Sequence, residues 1–216
     1  MMVITFLTLL LTQIDKILLS RLLPLENFAY YALAGVVANA LYLLAGPIRI
    51  AYYPRFIELV TQGNQSELKK VYHQSSQLLT VLMGSAAIVL MLFSDLVLTK
   101  QVSPLIVILS LGTLLNGLMW VPHYMQLAHS WTSLTIKINI IAVAILIPAI
   151  LWVIPIYGAI GAAWVWVILN MGYLLFYIYF MHLRLLPTEK WHWYREDVAI
   201  PLMSAYLIAI LFRMVI

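Results

Sequence analysis

Residues 144–154 read AILIPAILWVI, and whether they form a strand or a helix decides the fold. A strand of a membrane barrel alternates polar and apolar residues over about ten positions. This segment is apolar on every face, which suits a helix whose backbone groups are satisfied internally. Working outward, the apolar run extends over residues 133–154, and a second block, 158–181, follows closely. About 20 residues at about 1.5 Å rise each cross the roughly 30 Å hydrocarbon core of a bilayer, so each block is long enough to span.

Marked in the same way, the whole chain gives about seven spans: residues 3–23, 28–53, 75–98, 104–128, 133–154, 158–181 and 198–216. The expected fold is therefore all-α, a polytopic helical membrane protein with about six to seven transmembrane helices. Composition agrees. Of the 216 residues, 64% are hydrophobic and 9% charged, against about 45–50% and about 25% in soluble domains. Mean hydropathy is +1.00. The absence of Cys excludes disulfides, thiol catalysis and thiolate metal sites. No signal-peptide pattern precedes the first span, and its abrupt start at Met1 raises the expectation that the chain begins inside a larger design.

The net charge of +4 does not imply nucleic acid, because the Lys and Arg residues lie mostly in short connections and act as orientation signals. Arg55, Lys69 and Lys70 fall in the second connection, Lys137 at the edge of the fourth, and Arg184, Lys190 and Arg195 in the sixth. Arg21 and Lys100 alone occupy the first and third, and the fifth has none. Basic residues concentrate on the cytoplasmic side, so the even connections and the N-terminus are expected there. The second connection also carries a Gly63-Asn64 turn followed by SELKK, which predicts a capped amphipathic surface helix. No connection is long enough for a soluble catalytic domain. Nucleophile-elbow, phosphate-loop and zinc-protease motifs are absent, and Glu189, Glu196 and Asp197 lack metal-like spacing, so no enzyme, cofactor or metal site is expected.

Polar residues inside the spans carry the functional signal. On a helical wheel Thr5, Thr8, Thr12, Asp15, Lys16 and Ser20 fall within about 140°. An intramembrane charge costs about 2.5–3.5 kcal/mol on insertion scales, and it normally faces a bundle interior or a wet cavity. Lys16 can snorkel; Asp15, about 12 Å from the helix end with a short side chain, cannot. Asp15 is thus expected to meet water, or a partner on another helix. A second polar face gathers Gly112, Asn116, Met119, His123 and Gln126 within about 80°. His123 reads as hydrogen-bonded packing. Pro47 and Pro54 predict a kink near Arg49. Arg49 and Lys137 lie close to span ends, where they either snorkel or present charge to an anion; the planar fork of Arg suits phosphate. Gly158 and Ala162 have the spacing of close helix packing, and the aromatic WHWY cluster near residue 191 suits the membrane interface.

Four ordered stretches carry a family likeness: TQIDKILLSRLLPLENFAYYALA (12–34), the P-x6-P-R-F pattern from Pro47 to Phe56, LSLGTLLNGLMWVPHYMQLAHSWT (109–132) and YGAIGAAWVWVILN (157–170). Together they resemble the carboxyl-terminal half of bacterial polysaccharide flippases of the O-antigen (Wzx) type, relatives of multidrug (MATE) exporters. The resemblance implies that residues 1–186 form the second lobe of a larger two-lobed transporter, with six spans. Residues 187–216 then add a cytoplasmic connector and a further terminal helix. It also implies residence in the bacterial inner membrane and translocation of undecaprenyl-pyrophosphate-linked oligosaccharide from the inner to the outer leaflet. The expected partners are that polyprenyl-pyrophosphate substrate, membrane lipids and polysaccharide polymerase and assembly proteins, with no nucleic acid. In this frame Arg49, Arg55 and Lys137 receive the pyrophosphate, Asn116 lines the sugar path and Asp15 couples transport to an ion gradient. Two alternatives stand beside it: a fragment of a multidrug exporter, and a membrane subunit of a polysaccharide glycosyltransferase or polymerase.

Overall fold

The computed structural model describes residues 2–215, apart from the side chains of residues 2–5, Thr8 and Val97. All regular structure among the described residues is helical. The chain runs α1 (Met2–Leu22), α2 (Leu25–Asn39), α3 (Tyr42–Gln62), α4 (Gln65–Val97), α5 (Ser103–Leu118), α6 (Trp120–Ala128) and α7 (Ser133–Gly172). A π-helical turn, Tyr173–Tyr177, leads into α8 (Ile178–Leu185). After a short break come α9 (Lys190–His192), a second π-helical segment (Trp193–Ala199) and α10 (Ile200–Val215).

Five helical stretches among the described residues are long and apolar enough to cross a membrane: Leu25–Gln62, Gln65–Leu96, Ser103–Ala128, Ser133–Leu185 and Lys190–Val215. This is compatible with a helical membrane protein, but the count is lower than the expected seven. Two features account for the difference. The first expected span is α1, several of whose side chains lie outside the described ones. The fifth and sixth expected spans are the two legs of one helical stretch, Ser133–Leu185.

That stretch turns back on itself at Gly158, where φ is 60° and ψ is −142°. Only glycine adopts this conformation readily. Tyr173 Oη donates to Asn139 Oδ1 at 2.8 Å. Residues so far apart in sequence would lie about 50 Å from each other along a straight helix, so the legs must run antiparallel. Gly158 is thus the reversal point, a correction to its expected role in helix packing. Of the expected small pair, Ala162 alone is buried. Pro122 places the other break. It has no N–H to offer the Leu118 carbonyl, and the helix yields between α5 and α6 at Met119.

The α5–α6 stretch is the axis of the bundle: 72% of its most apolar window is buried, against 11% for Lys190–Val215. α2, α4 and α7 pack around α5, α1 lies against α7, and α10 joins the periphery through α4. Close approaches fix these contacts. A Cβ on Gly112 would lie 2.4 Å from the Trp166 ring, and one on Gly84 would lie 2.4 Å from Leu202 Cδ2. Large side chains such as Ile141, Ile145, Trp152, Ile168 and Phe176 stay exposed on the outside, where lipid rather than water is the compatible solvent.

The predicted surface helix is not a separate element. SELKK forms the first turns of α4, capped by Asn64 Oδ1, which accepts from the Glu67 N–H at 3.2 Å. With 33 residues α4 is about 50 Å long, so one end projects beyond a hydrocarbon core of roughly 30 Å. Lys69 on this end donates to Glu189 Oε1 at 2.8 Å, which places the second and sixth connections at the same end of the bundle.

Candidate functional site

Asp15 sits where α1 meets α2. Its Oδ2 accepts from Tyr31 Oη at 2.7 Å, while its buried Oδ1 has no hydrogen-bond partner among the described residues. Lys16 forms no ion pair with it; the Lys16 ammonium donates to Gln13 Oε1 at 3.4 Å. Asp15, Lys16, Gln13 and Thr12 line a partly open cavity of about 310 Å³, together with Tyr42, Thr113 and Trp166. Both readings of Asp15 therefore hold together: it bonds to another helix, and it faces a space large enough for several waters. The side chains of Thr5 and Thr8 lie outside the described residues. Ser20, the last member of the predicted stripe, is exposed and donates to the Ile17 carbonyl at 2.9 Å.

A second cavity, of about 180 Å³, begins where the first ends, since Leu11, Thr12 and Trp166 bound both. Asn116 and His123 line it from the α5–α6 axis, and Asn139, Tyr173 and Tyr177 from the helical hairpin. Tyr42 links the two spaces by donating to Asn116 Oδ1 at 2.9 Å. Asn116 Nδ2 in turn donates to Asn170 Oδ1 at 2.8 Å, and Asn170 Nδ2 to the Trp166 carbonyl at 2.8 Å. At the far end Gln126 Oε1 accepts from both Tyr177 and Thr135. Tyr177 has given its one proton to Gln126, so the 3.1 Å contact with His123 makes His123 Nδ1 the donor.

The result is a polar seam through the bundle, with the Asp15 carboxylate and the Lys16 ammonium at one end and amide, hydroxyl and imidazole groups along the rest. Such a seam can hold water and hydroxyl-rich solutes, and a cation or proton at Asp15 Oδ1. Four members of the predicted face on the fourth span enter it together, namely Asn116, Met119, His123 and Gln126. Sequence reasoning missed Tyr31, Tyr42, Asn139, Asn170 and Tyr177. Each is a single polar residue in an apolar run, and only the packing shows where it points.

The three candidate cations have separate surroundings. Arg49 is exposed and borders a small cleft with Tyr52, Tyr53 and Tyr124, and no described residue pairs with it. Arg55 forms an ion pair with Glu58 at 2.7 Å, so it is not a free anion receptor. Lys137 is exposed near the start of α7, also without an ion-pair partner among the described residues.

A second polar cluster was not expected at all. Glu189 and Asp197, whose spacing shows no metal pattern, both meet His73 from α4, and His192 from α9 lies beside His73 and Asp197. Ligand-capable atoms of His73, His192 and Asp197 all lie within 4.8 Å of one another. The WHWY segment is drawn inward here: Trp193 is buried and donates to Ser76 Oγ at 3.1 Å, while Trp191 remains exposed. Lys69 beside Glu189 holds that carboxyl below the ordinary carboxylate range. No family model, curated protein or solved structure matches the chain, and no family is assigned to it.

Proposed function

We propose that the chain translocates a lipid-linked oligosaccharide across a bacterial inner membrane, as part of a larger two-lobed transporter. The observation that carries this reading is the seam: a carboxylate and a row of amides and hydroxyls bordering water-sized cavities inside an otherwise apolar bundle. Burying polar groups in a membrane is costly, so a row of them beside two adjoining cavities favours a polar cargo or ion. Amides and hydroxyls exchange hydrogen bonds with sugar hydroxyls on equal terms. Asn116, at the junction of the cavities, lies on the sugar path, and Asp15 binds the coupling proton or cation through Oδ1.

The substrate in this reading is undecaprenyl-pyrophosphate-linked oligosaccharide, whose lipid tail remains in the bilayer. Arg49 makes the first contact with the pyrophosphate and Lys137 assists, whereas Arg55 must leave Glu58 to take part. The N-terminus and the even connections face the cytoplasm, and polysaccharide polymerase and assembly proteins receive the product.

The test replaces Asp15→Asn and Asn116→Ala in the intact protein in its own cells. Surface polysaccharide falls while membrane abundance holds; normal polysaccharide in both variants would overturn the assignment. A second reading, export of an organic cation, draws on the same Asp15 carboxylate. It requires Asp15→Asn to raise susceptibility to cationic compounds without changing polysaccharide.

A further inference from the structure

His73 stands at the centre of the second cluster. Its Nδ1 lies 2.5 Å from Asp197 Oδ2, and the other Asp197 oxygen accepts from Gln77 Nε2 at 3.0 Å. Asp197 is fully buried. A buried carboxylate held this way fixes the His73 proton on Nδ1 and leaves Nε2 as the basic nitrogen. That Nε2 is itself buried and has no hydrogen-bond partner among the described residues. It faces Glu189 Oε2 at 3.4 Å, and the His192 ring lies 4.3 Å away between centroids. Lys69 engages the other Glu189 oxygen, so Oε2 is left turned towards the histidine.

Distances separate ligands from supports. Two atoms each about 2.0–2.1 Å from a tetrahedral Zn²⁺ stand about 3.4 Å apart. The 3.4 Å between His73 Nε2 and Glu189 Oε2 equals that edge. The 2.5 Å between His73 Nδ1 and Asp197 Oδ2 is too short for two ligands of one ion and suits a carboxylate that orients a ligating histidine from behind. Backbone form contributes as well. His192 and Asp197 are five residues apart, which in an α-helix sets them about 140° from each other. The π-helical segment at 193–199, with its i→i+5 bonding, brings both to the same side.

We propose that His73, His192 and the carboxylates of Glu189 and Asp197 that flank His73 form a site for one divalent transition metal ion, with water completing the coordination. The bound ion fastens the projecting end of α4 to the segment that leads into α10. The site is separate from the seam and does not depend on the transport reading.

The test uses the full chain, purified in detergent without a polyhistidine tag, treated with chelator and dialysed against Zn²⁺ or Co²⁺ alone. The folded wild type takes up one Zn²⁺ per chain, and Co²⁺ gives visible absorption bands that Zn²⁺ displaces. His192→Ala weakens uptake about tenfold or more, and Asp197→Asn weakens it about 10–100-fold. His192 is partly exposed, so its truncation leaves the core intact. Should it still fail to elute as a single species, Glu189→Gln, of the same shape, decides by the same criterion. No uptake by the folded wild type, or uptake unchanged in the deciding variant, overturns the site.

Discussion

The seam and the His73 cluster are both polar regions in a strongly apolar chain, yet they are built in opposite ways. The seam has one carboxylate, one ammonium and many uncharged groups, drawn from α1, the α5–α6 axis and the helices packed around them. The cluster concentrates charge: Lys69, Glu189 and Asp197 with two histidines, at one end of the bundle. The difference follows the dielectric. Deep in a bilayer, neutral hydrogen-bonding groups are tolerated and charges are scarce, whereas charge clusters belong at an end, where water and headgroups solvate their outer members. Asp15 lies away from that charged end and is held by Tyr31 at the edge of a cavity, which is why the proposed function gives it the coupling role.

The comparison can be broken most sharply at Asp15. Asp15→Asn keeps the shape and the Tyr31 contact but removes the charge, and transport is expected to fall about tenfold or more, the scale of one lost charged hydrogen-bond acceptor. Substrate translocation into liposomes, corrected for inserted protein, checks this. Unchanged transport would make Asp15 a structural residue like its neutral neighbours. Next in size, Gly112→Leu drives a side chain into Trp166, which bounds both cavities. Overpacking of this kind costs about 1–3 kcal/mol, and it displaces the Trp166 ring that both cavities share. Thermal unfolding in detergent together with transport separates the two effects.

Asn116→Ala removes two interhelical bonds, to Tyr42 and Asn170. Such bonds in membranes are worth about 0.6 kcal/mol each on average, so a loss of about 1–2 kcal/mol in unfolding free energy is expected. A much larger loss would mean that the seam is a rigid core rather than a hydrated path. The smallest effect belongs to Arg55→Ala. Its pair with Glu58 is exposed on both sides, and such pairs contribute about 0–1 kcal/mol. The same unfolding assay should register almost nothing.

Much of the seam was legible before the fold was known, because helical periodicity is local. Thr12 and Asp15, and likewise Asn116, His123 and Gln126, fall on common faces of their own helices, and wheel positions bring them together without knowledge of their neighbours. The partner side chains were not legible, since Tyr31, Tyr42 and Asn170 are set by how helices pack. The His73 cluster was invisible for two reasons. His73 and Asp197 are far apart in sequence, and the π-helical turn that aligns His192 with Asp197 departs from the 3.6-residue period. Span counting located the apolar blocks, but it read Gly158 as packing where a positive φ reverses the chain.

The central claim, that water reaches the seam inside the membrane, has a direct test because the chain contains no Cys. Single cysteines are placed at Thr12 and Thr113, which line the Asp15 cavity, and at Ile141 and Ile145 on the outer face of the hairpin. The protein in intact membranes is then exposed to a charged thiol reagent. Only a hydrated thiol ionises to the reactive thiolate, so labelling reports water at each position. The account predicts that the Thr12 and Thr113 positions label while the Ile141 and Ile145 positions stay protected. Protection at all four, in a protein that still folds, would contradict it and reduce the seam to dry interhelical packing.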